Sequence, residues 1–178
     1  MTTSIIQVVN TSIEPVLALF IEEMNHSQWE TTLIVGLIAA APGIAAVTVA
    51  SYFGRLGDRI GAQYLLIAAF ILAFLIQIPS AFVTSISALL FLRLMIGISD
   101  AAMIPQINSL LTKSVEKEKV SQTFAYNQSA MSIGNLLGPM MGALVSNLFG
   151  YRAIFIASAV LIVINLSHFL VTVKEIKI

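Results

Sequence analysis

Six apolar stretches, at roughly 3–22, 31–53, 64–83, 86–111, 121–147 and 152–173, take up most of this 178-residue chain. Each has about the length that a helix needs to cross the hydrocarbon core of a bilayer, about 20 residues at 1.5 Å rise. Only helices and closed barrels satisfy the backbone inside lipid, and these runs lack the alternation of a barrel strand. The expected fold is an all-α membrane protein: one bundle of six transmembrane helices over residues 1–178, with no room for a soluble domain. Composition agrees. Hydrophobic residues make up 58% of the chain and charged residues 10%, whereas a soluble domain carries roughly 25% charged residues. Met1 to Ile13 has neither a basic leading region nor a small-residue cleavage site, so it is not read as a removable signal peptide.

The links divide by charge. Arg55 and Arg59 lie in the link at 54–63, Lys113, Lys117 and Lys119 in the run 113–119, and Lys174 and Lys177 in the tail. The alternate links, Glu22 to Glu30 with Trp29, Val83 to Ser85, and Phe149-Gly150-Tyr151, have only Arg152 beside the last. Seven basic residues against one predict that both termini are cytoplasmic. The link Gly54-Arg55-Leu56-Gly57-Asp58-Arg59-Ile60-Gly61 is charged and glycine-rich, and its glycines predict a tight turn where the chain re-enters the membrane.

Several classes of function are excluded or unsupported. The chain has no cysteine, hence no disulfide and no thiolate metal site, and a net charge of zero argues against a nucleic-acid partner. His26 and His168 stand alone, and no Walker, HExxH, GxSxG or EF-hand pattern occurs. Neither an enzyme nor a cofactor is expected.

Ionisable residues inside the apolar stretches are the sharper signals. Glu14 falls about eleven residues into the first helix and Asp100 about fourteen into the fourth, near the bilayer midplane by helical rise. Charges there are expensive and mark a cavity, a partner or a proton path. Glu14 is a candidate carrier of a proton or substrate, the alternative being a passive polar group on a central cleft. Arg93 and Asp100, seven residues apart, share a helix face; a structural pair with each other or with neighbouring backbone is the favoured reading and a bracketed polar patch the other. The fifth helix carries Tyr126, Asn127, Gln128 and Asn135 with Met131, Met140 and Met141, which suit a cavity for varied lipophilic solutes or, alternatively, helix packing. Gln7 and Asn10 on the first helix have the same two readings. Gly134, Gly138 and Gly142 form a small-residue stripe that lets a partner helix approach closely. Finally, Pro42-Gly43 leading to Phe53-Gly54-Arg55 is echoed by Gly138-Pro139 leading to Phe149-Gly150-Tyr151-Arg152, the pattern of two inverted three-helix repeats.

These residues carry a resemblance. Gly54, Gly57, Asp58, Arg59 and Gly61 resemble motif A of the major facilitator superfamily, with Ala62-Gln63 standing where that motif usually ends in two basic residues. Arg93 with Gly97 resembles its motif B. Gly134, Gly138, Pro139 and Gly142 resemble motif C, associated with antiporters, although Tyr126 replaces the glycine expected eight residues before Gly134. The resemblance covers the whole chain, yet a complete member has about twelve helices. It therefore implies one half of a transporter, in wording most similar to the C-terminal half of bacterial multidrug:proton antiporters, with Met1 as an internal start.

What the resemblance implies is efflux of a small lipophilic solute against protons by alternating access, in the bacterial inner membrane. Glu14, Asp100, Asn127, Gln128 and Asn135 are the candidate pathway, and Asp58 is a latch against a missing N-terminal half or a second copy. The alternative for Asp58 and Arg59 is a role in topology alone. The alternatives for the whole are another cargo, such as a sugar or metabolite, or an inactive membrane remnant.

Overall fold

The computed structural model describes residues 2–24 and 28–175, without the side chains of residues 28–31 and 173–175. His26, and the side chains of Trp29, Lys174 and Lys177, which entered the expectations above, lie outside what is described. Six α-helices follow one another: α1 (Thr2–Met24), α2 (Gln28–Ile60), α3 (Ala62–Phe82), α4 (Ile86–Lys113), α5 (Val120–Phe149) and α6 (Ala153–Glu175), with a single 3-10 turn at Lys117–Lys119 before α5. By length and apolar composition, α1, α3, α4 and most of α2 and α6 are able to cross a membrane. The expectation of six spans is met on composition by five, because Asn127, Gln128, Ser129 and Asn135 lower the hydropathy of α5. At 30 residues, α5 is nonetheless about 45 Å long.

The largest departure from the sequence reading is at the glycine link. It is not a loop: α2 continues helically through Gly54 and Gly57 to Ile60. The Gly61 N–H still bonds the Gly57 carbonyl at 3.0 Å, and the whole reversal into α3 falls on Gly61, at φ 98°. Only glycine adopts that backbone cheaply. Gly150, at φ 84°, makes the same reversal between α5 and α6. The turn glycine equivalent to Gly150 is therefore Gly61, not Gly54 as the sequence echo had it, and α2 projects two further turns carrying Arg55, Asp58 and Arg59.

All five prolines lie inside helices, as Pro15, Pro42, Pro79, Pro105 and Pro139. In a soluble helix each would cost about 3 kcal/mol. Membrane helices tolerate them because neighbouring helices and Ser or Thr side chains satisfy the freed carbonyls.

Packing follows a two-fold pattern. The most extensive helix pairs are α1 with α5 and α2 with α4; α3 packs on α4 and α6, and α6 also on α1. Exchanging α1 with α4, α2 with α5 and α3 with α6 interchanges α1–α5 with α2–α4 and α3–α4 with α1–α6 and leaves α3–α6 on itself, the relation required of a 3+3 repeat. Two apolar clusters fill the interior at opposite ends. One, around Leu66, Phe70, Met103 and Phe169, lies where α1 begins. The other, around Phe20, Ile21, Leu89 and Phe155, lies where α1 finishes. Between them runs the level of Asn10, Glu14, Arg93 and Asp100, where charged side chains of α1 and α4 interrupt the apolar interior.

Candidate functional site: a charged cavity between α1, α2 and α4

Two close helix crossings set the geometry of this middle layer. Gly97 of α4 lies on the backbone of Pro42 in α2; a Cβ there would stand 2.6 Å from the Pro42 Cα. On the other side, Gly134, Gly138 and Gly142 of α5 receive α1, with Gly138 on Thr11 and Gly142 on the Ser12 carbonyl. The glycine stripe thus has α1 as its partner helix, drawn in to backbone distance. Four hydrogen bonds seal that seam: Thr3 Oγ1 to Asn127 Oδ1 at 2.7 Å, Ser4 Oγ to the Ala130 carbonyl at 2.8 Å, Gln7 Nε2 to Asn135 Oδ1 at 2.6 Å and Thr11 Oγ1 to the Gly134 carbonyl at 3.4 Å. At about 0.6 kcal/mol each in a membrane, such bonds fix register more than they hold the helices together.

The crossings also align the two acidic residues. Three positions beyond Gly97 comes Asp100, and three beyond Thr11 comes Glu14, so the repeats present a carboxylate at matching places. Both line one cavity of about 240 Å³ between α1, α2 and α4, together with Asn10, Arg93 and the α2 bend at Pro42-Gly43. Glu14 is exposed at its mouth, while Asp100 is half-buried in its wall and accepts a hydrogen bond from Asn10 Nδ2 at 3.3 Å. Arg93 is buried at 9% exposure, and its Nε and Nη2 have no hydrogen-bond partner.

The favoured reading, in which Arg93 and Asp100 pair structurally with each other or with neighbouring backbone, is corrected for Arg93: it makes no ion pair with Asp100, and its Nε and Nη2 have no backbone partner either. Among the described residues the one ion pair is the surface contact of Lys119 with Glu116 at 2.8 Å. The two groups share a cavity wall instead, two helical turns apart, and the guanidinium holds donors in reserve.

The amides of α5 separate. Asn127 and Met131 line a smaller cavity of about 50 Å³ with Gln7, Asn10 and Asn108. Asn135 is engaged with Gln7, whereas Gln128, Tyr126 and Met140 are exposed away from both cavities. Met141 packs into the apolar cluster around Phe20. Asp58 and Arg59 are exposed at the end of α2, and Asp58 has no ion-pair partner among the described residues.

Sequence reasoning passed over three buried amides. Gln106 donates from Nε2 to the Phe53 carbonyl at 3.0 Å and lies against Gly57, tying α4 to the end of α2 and explaining why Gly57 has no side chain. Gln77, in the second half of α3, and Asn165, in the middle of α6, are 2% and 1% exposed. An amide flanked by apolar residues was the available signal for all three.

A polytopic bundle of two intertwined three-helix units, with charged groups gathered midway between its apolar ends, has the architecture of one half of a secondary transporter. The chain belongs to the Major Facilitator Superfamily, whose family profile matches residues 1–177. It is similar to the multidrug resistance protein MdtG of Escherichia fergusonii, 40% identical over 94% of this chain and 41% of that protein. It is also similar to the proteins of that name from Dickeya zeae, 41% identical over 92% of this chain and 40% of the relative, and from Salmonella arizonae, 40% identical over 92% and 41%. The chain thus spans about 40% of the length of the curated relatives it matches.

Proposed function

We propose that the chain is a single six-helix bundle forming one half, in wording the C-terminal half, of a proton-coupled multidrug efflux transporter of the bacterial inner membrane, with both termini in the cytoplasm. Five helices carry spanning composition, and α5 crosses as the sixth, its polar residues turned to α1 and to the complementary half. The observation that carries the reading is the convergence of Glu14, Asp100 and Arg93 on one cavity. With both carboxylates charged, that cavity bears net negative charge and suits a lipophilic cation; with one protonated it is neutral and releases it. Proton and cation thus compete for the same charge, and each favours the state that binds it better, which is the thermodynamic requirement of antiport. A cavity of about 240 Å³ is smaller than the roughly 300–1,000 Å³ of a complete ligand site. That is the size expected of one wall whose counterpart belongs to the other half.

The test is reconstitution of the chain with its complementary half in proteoliposomes, with proton release on addition of tetraphenylphosphonium followed by a pH-sensitive dye. Glu14→Gln, which leaves the cavity neutral as protonation does, is expected to weaken cation binding and to lower cation-driven proton flux at least about tenfold, the rate consequence of about 1.4 kcal/mol. Wild-type flux in that variant would remove Glu14 from the pathway.

Asp58, exposed on the projecting end of α2, is proposed to latch onto a basic residue of the complementary half in one of the two access states. Asp58→Asn is expected to reduce transport by about two- to fivefold, a partly exposed charge contact being worth up to about 1 kcal/mol, with membrane abundance unchanged. Equal transport at equal abundance would leave Asp58 with topology alone.

A further inference from the structure

Asp100 borders a second cavity. Towards α3 and α6 lies a much narrower space of about 20 Å³, whose polar lining is Asn10, Gln77, Asp100 and Asn165 in an otherwise apolar wall that includes Phe70 and Met103. Asn10 and Asp100 border both this space and the open cavity that holds Glu14 and Arg93. Asp100 is the only titratable group on the inner one.

The orientation of Asn165 is fixed. Its Nδ2 donates to the Thr2 carbonyl at 3.2 Å, and a flipped amide would set two oxygens against each other. That leaves Asn165 Oδ1 fully buried with no donor among the described residues, a state that native structures avoid by supplying a water. A space of this size takes one water molecule, which needs about two to four polar partners, and the four polar side chains here are enough.

We propose that the inner cavity binds a single water molecule joining Asp100 to Asn165 Oδ1, and that this water gives the Asp100 proton a route towards the start of α1 that is separate from the open cavity. Protonated Asp100 donates to the water oxygen, and the water donates to Asn165. Exchange of the Asp100 proton then requires only that this water exchange with bulk. The proposal rests on the reading of Asp100 as a proton carrier. It adds that proton and solute reach the site from different sides, so that a bound cation filling the open cavity does not seal the carboxyl off from protons.

The test is infrared spectroscopy of the chain in lipid nanodiscs. The Asp100 carboxylic C=O band is assigned by its loss in Asp100→Asn, and its shift is timed after transfer to D2O. Gly43→Phe plugs the open cavity, since Gly43 borders it and an added side chain there begins in open space. In that background exchange is expected to continue, and Asn165→Leu, which keeps the heavy-atom branching but has no polar atom, is expected to slow it at least about tenfold. Gln77→Leu, which leaves the Asn165 to Thr2 bond in place, is the second variant and is expected to act in the same direction. Exchange abolished by Gly43→Phe alone, or unaffected by Asn165→Leu and Gln77→Leu in its background, would overturn the inner route. The lack of any carboxylic band that Asp100→Asn removes would instead defeat the proton-carrier reading itself, and the two failures are told apart by the spectrum of the unmutated chain.

Discussion

Gly97→Val is expected to prevent the bundle from closing, with most of the chain lost from the monodisperse fraction on gel filtration in mild detergent. At Gly97 the atoms in the way are the Pro42 carbonyl, Cα and C, with the Cα at 2.6 Å and the C at 2.7 Å from the place of a new Cβ. Overpacking against a flexible side chain typically costs about 1–3 kcal/mol because that side chain moves aside. Backbone at a proline has no such freedom, so α2 and α4 must separate along one of the two most extensive seams in the fold, and the cost lies at or above that range. Gly142→Val is expected to behave alike, since α1 backbone at Ser12 occupies the space. Gly36→Ala is the control. It lies in the same helix as Pro42 with nothing within 4 Å of a new Cβ, and removal of a mid-helix glycine is expected to stabilise α2 by about 0.5–1 kcal/mol. Similar melting temperatures for Gly97→Val and Gly36→Ala would show that α2 and α4 do not meet backbone to backbone at this crossing.

How far such a site is legible in sequence depends on the kind of information it uses. Helix number and order follow from apolar run length, because the bilayer imposes one dimension on every span. Glu14, Arg93 and Asp100 stood out because charge within such a run is costly. Helix ends were less visible. Gly54 and Gly57 looked like turn residues, yet within a helix a glycine also serves close approach, and only the position of Gln106 distinguishes the two uses at Gly57. The partners of a polar residue were not legible at all. Asp100 meets Asn10 from ninety residues away, and Asn165 meets Thr2 from the opposite end of the chain. Arg93 shows the same limit, since its spacing to Asp100 argued for a pair that the tertiary arrangement does not make.

That unmade pair leads to the second large effect. Arg93→Met is expected to leave insertion and melting unchanged or slightly improved while lowering coupled efflux by at least about tenfold. The first half follows from burial: Nε and Nη2 have no hydrogen-bond partner, so the guanidinium bears the desolvation cost of a buried charge without bonds to offset it, a cost that an apolar side chain of similar length does not carry. The second follows from what remains. Without the guanidinium, Glu14 and Asp100 face one cavity with no countercharge, and the alternation between a cation and a proton loses the fixed positive group against which both are balanced. Arg93→Lys keeps the charge but gives up the planar fork, so partial recovery of efflux is expected. Efflux and melting measured on the same membrane preparations separate the outcomes. If efflux and stability fall together in Arg93→Met, Arg93 holds the fold through contacts that its orphaned donors do not reveal; if stability holds while coupling is lost, a buried arginine with spare donors has been kept for the transport cycle.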